Sequence, residues 1–140
     1  MARKVVLTWY NGTNEHRPVA AIEVLLADNV EMFYPNRPSA FVGIQAFREW
    51  YAGVLQQFFD ETHEVEWWEI KLNGSSASVT VIVRWEARQW TVGLARSSYE
   101  AHLSRQHFQI ERFPENGRVV ITKKIVEIFE STAPIYGVGQ

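Results

Sequence analysis

Residues Ile44 to Phe59 read IQAFREWYAGVLQQFF, and within them Ile44, Phe47, Tyr51, Val54, Leu55 and Phe58 recur at spacings of three and four. That period lays one apolar stripe along an α-helix, so the segment predicts a helix from Ile44 to Phe59. It decides the fold because the pattern changes character across it. On its N-terminal side the spacing is mostly helical. Lys4 to Asn14 carries Val6, Trp9 and Tyr10 on one face, which turns Tyr10 inward. Pro18 suits a first helical turn, and Ala21, Ile22, Leu25 and Leu26 continue a second, short helix until Asp28-Asn29. Val30 to Tyr34 reads as a strand stopped by Pro35 and the loop Asn36-Arg37-Pro38-Ser39.

On the C-terminal side, four strand-like stretches follow Asp60: His63 to Leu72, Ala77 to Trp90, Glu100 to Arg112 and Val119 to Phe129. Asn73-Gly74 and Pro114-Glu115-Asn116-Gly117 mark hairpins. Helices first and antiparallel strands afterwards define an α+β chain.

Composition narrows the function classes. A length of 140 residues fits one domain, expected over 1–130 with a C-terminal tail at 131–140. Gly137-Val138-Gly139 falls in that tail and follows no strand into a helix, so it is not a phosphate loop. Lys plus Arg total 14 against 16 for Asp plus Glu, a balance that argues against nucleic acid as a partner. Cysteine is absent, which closes disulfide, thiolate and Cys-ligated metal chemistry. No stretch has transmembrane length and no leader is evident, so no membrane partner and a cytosolic location are expected. Six Trp, 5 Tyr and 8 Phe supply rings enough to fill a core or line a pocket for a small apolar or aromatic ligand.

Strand alternation sorts the candidates by face. Val79, Val81, Val83 and Trp85 form the apolar face of their strand, against Thr80, Ile82, Arg84 and Glu86 on the other. The next strand places His102, Ser104, Gln106, Phe108 and Ile110 together, as expected where a sheet face passes from dry core to pocket mouth. Of His16, His63, His102 and His107, no pair has metal-ligand spacing on one face, so neither a metal nor a cofactor is expected. His102 alone falls on the pocket face and is the candidate general base.

The order of elements, with Ala27-Asp28-Asn29-Val30-Glu31, the Gly43 to Tyr51 run and Asn116-Gly117-Arg118-Val119-Val120, resembles the nuclear-transport-factor-two-like superfamily over nearly the whole chain. Its SnoaL-like and ketosteroid-isomerase-like branches are the nearest in pattern. The resemblance implies a cone-shaped α+β barrel: three N-terminal helices packed into a strongly curved, mostly antiparallel sheet, a hydrophobic pocket at the open end and a homodimer through the outer sheet face.

Compared with ketosteroid isomerase, the oxyanion-hole tyrosine falls on Tyr10, its supporting tyrosine on Tyr51 and a pocket phenylalanine on Trp50. These matches imply a phenol pair able to donate to a developing enolate oxygen. The isomerase's catalytic Asp falls on Tyr34, and a phenol with a pKa near 10 is not a base at neutral pH. Its protonated Asp falls on Gln106, or on Gln109 if the hairpin is shorter.

The resulting candidate set is Tyr10, Tyr51, Tyr34, Gln106 and His102 for chemistry, and Trp50, Val81, Val83, Trp85 and Phe108 for ligand contact. Two readings stay open. One is an isomerase, cyclase or dehydratase acting on a small apolar carbonyl compound. The other is a non-catalytic ligand-binding or partner-binding module in which the same groups satisfy the core.

Overall fold

A computed structural model describes residues 1–35, 37–90 and 96–132. Helix α1 (Ala2–Asn14) buries Val5, Val6, Trp9, Tyr10 and Thr13 on one face, as its spacing requires. Helix α2 is a single short turn, Val19–Glu23. Gly12 lies where the two helices meet: a Cβ there would stand 3.2 Å from Ile22 Cγ1, which explains a glycine inside a helix. Helix α3 (Ile44–Gln57) starts at Gly43, whose φ of 92° favours glycine and whose N–H donates to the Val30 carbonyl at 2.8 Å.

Six strands form one open sheet: β1 (Leu26–Phe33), β2 (Phe41–Val42), β3 (Phe58–Asn73), β4 (Ser76–Trp90), β5 (Ser97–Arg112) and β6 (Val119–Thr132), in the order β2-β1-β6-β5-β4-β3. Only β1 and β6 run parallel. The expected α+β cone architecture is therefore present, as an unclosed sheet with the helices on its concave side. Gly74 and Gly117, at φ 61° and 66°, sit in the two expected hairpins.

Several boundaries differ from the sequence expectation. The second helix stops at Glu23, and β1 already begins at Leu26, because Leu26, Ala27 and Val30 are buried as strand residues beside β6. The long helix ends at Gln57, with Phe58 extended into β3. The two-residue β2, too short to show a period, was not expected. Strand β6 continues to Thr132, and the rest of the expected tail, 133–140 with its Gly137-Val138-Gly139, lies outside the described residues.

Core packing follows the predicted alternation on β4, where Val79, Val81 and Val83 are buried together with Phe108 and Ile110 of β5. Burying each such side chain contributes about 2 kcal/mol before the entropy of ordering is subtracted. A bulge interrupts β3: Phe59 pairs with Arg88 and Thr62 with Glu86, so Asp60 and Glu61 together face Ala87. Asp60 takes φ 52° there, and a second bulge at Glu66, between the Val65–Val83 and Trp67–Ile82 pairs, reverses the alternation before it, so that Val65, His63 and Glu61 share the concave face with Val83 and Trp85.

Candidate active site

The concave side of the sheet encloses a cavity of about 750 Å³ between α1, α3 and the β3 to β6 strands. Its walls are aromatic. Tyr34 stacks on Trp50 with centroids 4.9 Å apart, and Trp85 stacks on His102 at 5.0 Å. Such walls suit a flat, apolar molecule.

Its polar floor is built from β3, β5 and β6. Gln106 on β5 is buried, and the Tyr10 hydroxyl donates to its Oε1 at 2.5 Å while Gln106 Nε2 donates to Ser104 Oγ at 3.0 Å. One amide N–H of Gln106 is left uncommitted. On β6, Lys124 is 3% exposed and donates from Nζ to the Tyr34 hydroxyl at 2.9 Å. Its ammonium lies 4.9 Å from the ring centres of both Trp9 and Tyr34 and 5.6 Å from that of Phe108. Among the described residues no carboxylate comes within ion-pair distance of it.

Glu61, turned inward by the Glu66 bulge of β3, accepts from Trp85 Nε1 at 2.9 Å and from His16 Nε2 at 2.7 Å. His16 has φ 51°, so each partner of this pair rests on or beside a left-handed backbone position. His63, also on β3, bonds through Nδ1 to Asn14 Oδ1 at 2.6 Å and stacks on Tyr10 at 4.8 Å. With the amide oxygen accepting, Nδ1 carries the proton and Nε2 keeps its lone pair.

Burial governs the protonation of this floor. It pushes Lys124 down to about 7, with Glu61 pulling weakly the other way. Burial, and then the Lys124 charge, push His63 down to about 3. Burial followed by the field of Glu61 raises the Tyr34 phenol well above its ordinary value, and burial followed by Tyr34 does the same for Tyr10. Both phenols are thus neutral, Tyr10 donating to Gln106 and Tyr34 accepting from Lys124. Burial lowers His102, whose Nδ1 is enclosed without a hydrogen-bond partner.

The structure brings Tyr34, Gln106, His102, Trp50 and Trp85 to the cavity wall, and Tyr10 touches it through Gln106. Gln109 is excluded as the pocket residue because it accepts from Ser78 on the opposite face. Val81, Val83 and Phe108 are packed into the core beside the cavity rather than lining it. Tyr10 and Tyr51, which the resemblance pairs as donor and support, are not hydrogen-bonded to each other. Tyr51 instead donates to the Arg17 carbonyl at 2.5 Å, in the loop before α2. Burial and then Glu61 push that phenol up to about 12.

His102 is also not the lone histidine of the cavity, since His63 lines it too. Three residues central to the floor were missed in the sequence. Glu61 and His63 are both hidden by the Glu66 bulge, which reverses the alternation of β3 before it. Lys124 shares a strand face with Val126 and Ile128, a signal overridden by the general exposure of lysines.

Comparisons with known proteins agree with this architecture. The SnoaL-like domain matches residues 6–122. A ketosteroid isomerase-like protein from Erwinia carotovora atroseptica is 16% identical, with a TM-score of 0.72 covering 91% of this chain and 93% of that one. An NTF2-like superfamily protein from Salmonella enterica is 12% identical, with a TM-score of 0.75 over 92% of this chain and 89% of the other. A LinA-type3 hexachlorocyclohexane dehydrochlorinase from Novosphingobium barchaimii is 14% identical, with a TM-score of 0.74 over 98% and 92% of the two chains. Identities this low speak for the fold and not for an activity. No curated protein matches the chain. A domain match running through both helical and strand halves means that this chain belongs to the SnoaL-like domain family.

Proposed function

We propose that the protein is a cytosolic enzyme of the isomerase or dehydratase kind, which moves a proton on a small, largely apolar carbonyl compound held in the aromatic cavity. One observation carries this reading: a buried carboxylate, Glu61, and a buried amine, Lys124, line the same cavity without forming an ion pair. Opposed groups of this kind can act on one substrate from two sides. Glu61 takes a proton from the carbon beside the carbonyl, and Lys124, when protonated, with the free amide N–H of Gln106, stabilises the oxyanion that develops. Tyr34 holds Lys124, and Tyr10 holds Gln106, so the two phenols act as positioning groups.

The test is exchange of the α-protons of β-tetralone in deuterated buffer, followed by NMR. The native protein should accelerate exchange, and Glu61→Gln should reduce the rate on the order of a hundredfold. No acceleration by the native protein overturns the assignment.

A binding module is the second reading, favoured by one feature: both Glu61 oxygens already hold protein partners. Tight binding of the ketone with no exchange would establish it. For the assembly, we propose a homodimer through the outer sheet face, where Trp67 is paired with Ile82 and is 47% exposed.

A further inference from the structure

We propose that Lys124 Nζ is a covalent nucleophile that condenses with an aldehyde or ketone in the cavity to form an imine. The inference rests on the carbonyl reading given above and adds a covalent step to it. Three observations of geometry carry it. The amine is enclosed, at 3% exposure, yet it lines a cavity of about 750 Å³ that can hold a second molecule. Among the described residues its one polar partner is a neutral hydroxyl, Tyr34, and no carboxylate neutralises it. Three aromatic faces surround it, so the charged form lacks most of the hydration it has in water.

A lysine placed in this way is activated because the neutral amine, not the ammonium, attacks carbonyl carbon. Burial pushes the group down to about 7, so a large share of it is neutral at neutral pH. An ordinary lysine, with a pKa near 10.4, is neutral in only about one molecule in a thousand there. The adjacent Lys123 is exposed on the other strand face and serves as an internal control.

The step balances within the site. The Nζ lone pair forms the C–N bond while the carbonyl π pair moves to oxygen, which takes a proton to give a carbinolamine. The C–O bond then breaks, the oxygen leaves as water with a second proton, the nitrogen lone pair completes the C=N bond, and the two protons on the water balance the two that Nζ has lost. One carbonyl compound and one amine thus give one imine and one water, with no change in oxidation level. The Tyr34 hydroxyl, 2.9 Å from Nζ, is placed to pass a proton to the departing oxygen. Protonated on nitrogen, the imine draws electrons more strongly than the carbonyl did, and Glu61 in the same cavity can remove the neighbouring proton to give an enamine.

The test is reductive trapping. The protein is incubated with β-tetralone, benzaldehyde or phenylacetaldehyde and sodium cyanoborohydride, then digested and mapped by mass spectrometry. The expected result is a single reduced adduct at Lys124, formed on the order of tenfold or more faster than at Lys123. It should be absent in both Lys124→Met and Lys124→Arg, of which the second keeps the charge. Tyr34→Phe should slow trapping without changing the site. Absence of an adduct with all three compounds overturns the proposal, as does labelling spread evenly over Lys4, Lys71, Lys123 and Lys124. Exchange of β-tetralone protons without an adduct overturns the imine alone, whereas an adduct without exchange supports the imine and overturns the proton-transfer reading.

Discussion

Lys124 and Tyr34 meet because β1 and β6 run in parallel. The register pairs Met32 with Lys124 and Phe33 with Ile125, so the residue just after β1 comes alongside the β6 side chain that points into the cavity. The resulting 2.9 Å hydrogen bond joins a buried amine to a phenol that burial keeps protonated. A cation held this way is costly to the fold and useful to a reaction, and the cost is measurable through pH.

Lys124 should make stability rise with pH across a defined window. Its value falls from 10.5 in the unfolded chain to about 7 in the folded one. Between those limits the unfolded chain binds more protons, so raising the pH favours folding, and below about 7 the full penalty is present. Denaturant midpoints should increase over that interval in the native protein. Lys124→Met should flatten the slope there, and an unchanged slope would refute the buried amine.

His63 should act in a separate, acidic window. Burial and Lys124 take it from 6.5 to about 3, so the stability tied to its neutral form is lost as pH falls between those values. Because Lys124 is the second cause, Lys124→Met should raise the His63 value while burial still holds it below 6.5. NMR titration of the ring protons checks this, and a value that does not move would mean that the two groups do not sense each other.

Periodicity made much of this fold legible and little of its floor. The α3 stripe and the β4 alternation are long, regular signals, and they correctly buried Phe47, Tyr51, Val81 and Val83. The His102, Ser104 and Gln106 face was readable for the same reason. Glu61 was not, since the bulge at Glu66 shifts the parity of everything before it on β3 and neither glycine nor proline marks it in the sequence. Tyr51 was misassigned a partner because its acceptor is a main-chain carbonyl, Arg17, which no side-chain pattern reveals. The start of β1 was missed because parallel pairing with β6 is a contact between the two ends of the chain.

The outer sheet face supplies a test of assembly. Trp67 and Ile82 are neighbours across β3 and β4, flanked by the Arg84–Glu66 ion pair at 3.3 Å. Trp67→Asp should disperse a dimer built on this face without altering the cavity, which lies on the other side of the sheet. Sedimentation velocity should show a dimer for the native chain and a monomer for the variant. A native chain that sediments only as a monomer rejects the interface.

Two hydroxyl deletions separate the roles that sequence resemblance had joined. Tyr10→Phe removes the donor to Gln106 Oε1 and leaves a buried acceptor unpaired, which should cost about 1–3 kcal/mol of stability. The freed amide would also lose its fixed orientation, so proton exchange on β-tetralone should slow along with the loss in stability. Tyr51→Phe removes the donor to the Arg17 carbonyl, a bond outside the cavity, and should destabilise by a similar amount with exchange per folded molecule unchanged. Thermal unfolding and exchange rates measured on both variants decide the point. If Tyr51→Phe slows exchange as much as Tyr10→Phe does, the two phenols act as one unit after all, and the separation drawn from their hydrogen bonds is wrong.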